Sequence, residues 1–98
     1  MEFEWDSAKA RANLAKHGVA FEAVFAFEWD SYLRSVDNRM DYGEERIQAL
    51  GKIKGRVHVL VYAMNNNNIR VISLRKANIR KVRIYDRHLQ NRTPSGFR

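Results

Sequence analysis

The 98-residue sequence contains no cysteine. Disulfides and zinc ribbons are therefore excluded as supplements to its core, and so is a cysteine nucleophile. Long apolar runs are missing too. The longest, residues 57–64, is interrupted by His58 and falls far short of a membrane span. The opening Met1-Glu2-Phe3-Glu4-Trp5-Asp6 carries acids where a secretory signal would carry lysines ahead of an apolar stretch, so a soluble cytoplasmic protein is expected. No glycine-rich phosphate loop and no Gly-x-Ser-x-Gly elbow occur. His17, His58 and His88 are too scattered to make a metal motif in sequence. An enzyme made from this chain is expected to work with side chains alone, with no metal or other cofactor.

Acidic residues become scarce along the chain. Residues 1–50 hold 6 Lys/Arg against 10 Asp/Glu, a net of −4, whereas residues 51–98 hold 12 against 1, a net of +11. Such a basic half attracts polyanions, and nucleic acid is the expected partner or substrate, although many small basic domains bind nothing specific. A hydrophobic fraction of 45% beside 30% charged residues reads as globular, not disordered. The length suits a single domain over residues 1–90 with a flexible tail over 91–98.

Phe3 and Trp5 alternate with glutamates, which predicts a short strand. Asp6 stands where an N-cap belongs, residues 7–16 are rich in helix formers, and Gly18 is the expected stop. Ala8, Ala12 and Ala15 share a narrow face of that helix suited to close packing. A second helix is expected over residues 20–28, burying Phe21, Val24 and Phe25. A strand at 31–36 and a polar, mobile loop at 37–43 follow. A meander then runs through strands at 45–50, 56–64 and 69–75, with turns at 51–55 and at the four asparagines 65–68. A final helix over 78–89 turns Val82, Tyr85 and Leu89 to one side. The order β–α–α–β–β–β–β–α describes an α+β domain with an antiparallel sheet, two N-terminal helices and one C-terminal helix.

His17 closes the first helix beside Lys16, and an imidazole titrating near neutrality can protonate a leaving oxygen in phosphodiester cleavage. The plainer reading is that both residues complement a helix C-terminus. Arg46, Arg70 and Arg75 lie on neighbouring strands, and guanidinium forks match phosphate geometry. In a regular strand Arg70 and Arg75 point to opposite faces, so that only one reaches a given phosphate; a bulge would change that. Lys76, Arg80, Arg83 and Arg87 recur at helical spacing and suit an RNA backbone if the last helix begins early, though a charge row is usually a solvated face. Among Trp5, Trp29, Tyr32, Tyr42 and Tyr62, Tyr42 in the polar loop is the aromatic expected to be free for base stacking.

The ordered set Phe3-Glu4-Trp5-Asp6, Lys9, Asn13, Lys16-His17-Gly18-Val19, Phe21-Glu22, Gly43-Glu44-Glu45-Arg46, Leu50-Gly51, Arg70-Val71-Ile72-Ser73, Arg75, Ala77 and Tyr85 resembles the BrnT toxin family. The resemblance implies a RelE-like fold and a ribonuclease that stops translation. It also implies a BrnA-like ribbon–helix–helix antitoxin as partner, with DNA engaged only through the toxin–antitoxin complex. It assigns Lys16, His17, Arg46, Arg70 and Arg75 to the family's polar signatures. Two segments depart from the family: Lys81 stands where a Glu is usual, and Phe27-Glu28-Trp29-Asp30 replaces a Phe-Asp-Asp-Pro-like sequence. Two other readings are an RNA-binding module without chemistry and an inactive homologue that keeps only its partner surface.

Overall fold

A computed structural model of the protein describes residues 2–92. After β1 (Phe3–Glu4), the Asp6 carboxylate accepts from the N–H of Ala8 at 2.8 Å and opens α1 (Ser7–His17). The helix stops at Gly18, whose φ of +72° turns its N–H back onto the Leu14 carbonyl at 2.8 Å. The next segment, Phe21–Ala26, is a 3-10 helix instead of the α-helix expected there. Its three-residue period carries Phe21, Val24 and Phe27 inward together and leaves Phe25, expected in the core, 69% exposed.

β2 (Leu33–Asp37), β3 (Arg46–Ile53), β4 (Arg56–Asn65) and β5 (Asn68–Lys76) are antiparallel neighbours, and β1 adds in parallel to β5. The sheet order is β1-β5-β4-β3-β2, so the sheet is mixed rather than wholly antiparallel. The asparagine turn explains why β1 docks there. Asn65 and Asn68 donate to the two carboxylate oxygens of Glu4 at 2.7 and 3.2 Å, and the N–H of Ile69 donates to the Glu2 carbonyl at 2.8 Å.

α1 is fastened differently from the expectation. Ala8, Ala12 and Ala15 are exposed; the buried residue is Asn13. Its side-chain amide donates to the Leu74 carbonyl at 2.7 Å and the Val19 carbonyl at 2.9 Å, while its oxygen accepts from the Leu74 N–H at 3.2 Å. Asn13 therefore acts as one more strand residue, satisfying the edge of β5 beyond the reach of β1.

Each sheet face carries its own core. Phe21, Val24, Phe27, Ile47, Leu60, Val71 and Leu74 pack on the face under α1 and the 3-10 helix. Leu50, Val57, Val59, Val61 and Ala77 pack against Tyr85 of α2 (Ile79–Arg92) on the other. Tyr85 is fully buried, with its hydroxyl 3.1 Å from Ser31 Oγ. α2 runs on through Asn91 and Arg92, two residues into the expected tail; residues 93–98 lie outside the described residues. Among the described residues no helix is long and apolar enough to cross a membrane.

β3 also runs further than expected, through Gly51 to Ile53, leaving Lys54 and Gly55 (φ +51° and +82°) as the turn. Gly51 is a seat for the Phe27 ring, since a Cβ there would lie 2.4 Å from a Phe27 ring carbon. The Gly51→Ala variant is expected to lose on the order of 1–3 kcal/mol from overpacking. Urea unfolding would measure it as a lower midpoint with an unaltered slope.

Candidate active site

Cross-strand pairing fixes which arginines share a face. Val61 pairs with Ser73, yet Tyr62 pairs with Val71, so Ile72 is an extra residue bulged out of β5. Because of this bulge, Ile69, Val71 and Leu74 all face the α1 core, although regular alternation would set Leu74 apart from the other two. Arg70, opposite Ala63, and Arg75, opposite Val59, both face the α2 side. The expectation that they point to opposite faces is corrected by one inserted residue.

Arg46 and Gln48 of β3 pair with Asp37 and Ser35 of β2 on this same side. α2 covers only the part of the face around Leu50, Val57, Val59 and Val61. Arg46 and Arg70 stand together, since the Glu44 carboxylate accepts from Arg46 Nε at 3.2 Å and also from Arg70 Nη2. These two guanidiniums hold the Glu44 carboxyl below its usual range, with Arg70 the larger cause. Arg46 also lies over the Tyr42 ring, 4.0 Å from its centroid. Tyr42 is thus not the free aromatic expected from sequence, and its hydroxyl donates to Asp37 Oδ2 at 3.3 Å.

Asp37 is the hub that sequence reading passed over as loop. Its side chain is 1% exposed and accepts Arg39 Nε and Nη2 on its two oxygens, each at 2.8 Å. That pairing lowers its pKa to about 2 against the opposing effect of burial. The loop over residues 38–45 is therefore tied to the sheet through both Arg39 and Glu44.

Arg75 differs from Arg46 and Arg70. It is half-buried, and among the described residues no hydrogen bond or ion pair is made by its guanidinium. Burial first, then the charge of Arg39, lowers its pKa. His17, at the end of α1, feels Arg75 as well: burial, then Lys16, then Arg75 lower the imidazole pKa below 6.5. A groove of about 290 Å³ at the bulge is lined by Lys9, Asn13, Lys16, His17, Ile72 and Ser73. His17 and Lys16 thus line the groove at the edge of β5 within reach of the charge of Arg75, while Arg46 and Arg70 form a second group joined by Glu44.

The cation row expected on the last helix is shorter than four. Lys76 is the final residue of β5, pairs with His58 and faces the α1 side, because Asn78 delays the helix to Ile79. Arg80, Arg83 and Arg87 are exposed on α2. Lys81, noted in the sequence only as a departure, turns inward, and its Nζ donates to Gln48 Oε1 at 2.9 Å. Its pKa is lowered by burial and then by Arg75, Arg80 and Arg39. A buried Asp followed two residues later by Arg is too common a pair to have been found from sequence.

A family model for the BrnT ribonuclease toxin of type II toxin–antitoxin systems matches residues 5–81. The chain belongs to the BrnT family. No curated protein matches it. Membership makes this BrnT chain a ribonuclease toxin with an antitoxin as its partner. The matched span takes in His17, Arg39, Arg46, Arg70, Arg75 and Lys81 and ends before Arg83 and Arg87.

Proposed function

We propose that this BrnT protein cleaves RNA without a metal ion, by attack of a ribose 2′-hydroxyl on the adjacent phosphorus. The O2′–P bond forms, the P–O5′ bond breaks, the 2′ proton leaves to solvent, and the departing O5′ takes a proton from His17. Products are a 2′,3′-cyclic phosphate and a 5′-hydroxyl. Arg75 stabilises the charge growing on the phosphate, the larger part of the rate gain, with Lys16 as a second cation. Arg46 and Arg70, which share the single carboxylate of Glu44, bind the strand further along. Exposed Arg80, Arg83 and Arg87 guide its backbone, with Lys76 a more remote contributor on the opposite face.

One observation carries this reading: the charge of Arg75 reaches His17, and no acid among the described residues pairs with that arginine. A cation without an anionic partner, within electrostatic reach of a titratable imidazole, suits phosphodiester cleavage. The antitoxin is a BrnA-like ribbon–helix–helix protein, DNA is bound only through their complex, and cleavage in the cytoplasm halts translation. The test is purified protein with RNA in excess chelator. Shortened RNA bearing cyclic phosphate ends is expected. RNA that is bound and left whole would favour a binding module without chemistry, and cleavage that returns only with added Mg²⁺ would sink the metal-free step.

A further inference from the structure

Arg39 and Lys81 come from a loop and a helix, yet both are held over the same sheet face by partners of fixed geometry. Arg39 is clamped on two oxygens by Asp37, a carboxylate buried at 1% exposure. Lys81 is held by Gln48 at 2.9 Å, and Gln48 pairs with Val61. Arg75 pairs with Val59, two residues along β4 on the same face. Asp37 and Gln48 therefore stand on adjacent strands, with Arg75 two strands beyond Gln48, about 15 Å in all across the sheet. Long cationic side chains over such a span can close on one small anion.

A long cation on a surface usually reaches into water and keeps its freedom. Here Lys81 sits in the first turn of α2, which holds no acid and where the helix dipole disfavours cations. Burial first and then neighbouring positive charge lower the pKa of Arg75 and of Lys81, whereas Asp37 raises that of Arg39. Asp37 is the acid facing them, and both its oxygens are already taken by Arg39.

We propose that Arg39 and Lys81 form a subsite for the RNA phosphate next to the one that Arg75 holds for cleavage. The assignment deepens the ribonuclease reading and rests on it for which phosphate is meant. The ligand chemistry is a backbone phosphodiester, bound through two cations and read without regard to base.

The test is binding of 2′-O-methyl oligonucleotides, which the protein cannot cleave, with one or two internucleotide phosphates. For the wild type the second phosphate is expected to tighten binding about tenfold, as a contact to a charged group does. In Arg39→Gln and in Lys81→Gln that gain should shrink to about twofold or less, and the salt dependence on longer RNA should flatten by roughly one unit. Arg56→Gln removes the same charge from the exposed first residue of β4 and should keep the gain. Lys81→Arg, which keeps the charge, guards against loss of fold as the cause. A gain that persists in both Gln variants, or that vanishes equally in Arg56→Gln, would overturn the subsite. Cleavage is scored separately: intact RNA with the phosphate gain present and lost in the Gln variants would remove the ribonuclease reading and leave the subsite standing.

Discussion

Arg75→Gln is expected to lower kcat/KM for RNA cleavage by about 10²–10³-fold, the scale of losing one donor to a developing oxyanion. Its melting temperature should stay level or rise. The wild-type guanidinium is half-buried, makes no ion pair among the described residues, and is pushed by the charge of Arg39. Removing it relieves repulsion instead of breaking a contact. A large activity loss without a stability loss separates a phosphate-binding arginine from one that props up the sheet. Arg70→Gln makes the internal comparison. Its guanidinium is already paired with Glu44, so its loss should be smaller. Single-turnover cleavage with thermal melts decides the matter, and a loss under threefold in Arg75→Gln would remove Arg75 from the scissile phosphate.

His17→Ala should cost about 10²-fold or more if the imidazole delivers the proton to the leaving oxygen. The pH dependence gives this a signature that a structural role lacks. A general acid must be protonated, so kcat/KM falls as pH rises through the pKa of the free enzyme. Burial, Lys16 and Arg75 all move that pKa below 6.5, so the decline should begin on the acidic side of the ordinary histidine range. In His17→Ala the decline should vanish along with the rate. In Arg75→Gln the residual activity should decline at higher pH, because one neighbouring positive charge is gone. A wild-type profile flat from pH 5 to 8 would count against His17 as the acid.

The architecture was legible where local chemistry decides it. Asp6 and Gly18 mark both ends of α1, and the alternating valines of β4 declare a central strand. What local rules missed were contacts between residues far apart in sequence. The parallel docking of β1 depends on Asn65 and Asn68 gripping Glu4, and no periodicity reports that. Asn13 looks like an ordinary polar helix residue until Leu74, 61 positions away, arrives beside it. His17, Arg46, Arg70 and Arg75 could be nominated by residue type. Their grouping could not, because it depends on one irregularity in β5. Tyr42 and Arg39 were read as free loop residues because their anchor, Asp37, is recognisable only by its burial.

The bulged Ile72 makes chain length, and not only side-chain identity, a functional quantity between Arg70 and Arg75. Strand parity here behaves as a two-position switch: at the present length, flattening the bulge would send Leu74 and Arg75 to the wrong sides, whereas removing one residue would restore plain alternation and leave both where they stand. A substitution that draws position 72 into the ladder would therefore trade an arginine at the surface for one in the core. Homologues with one residue fewer between the two arginines would be expected to keep them together on a regular strand.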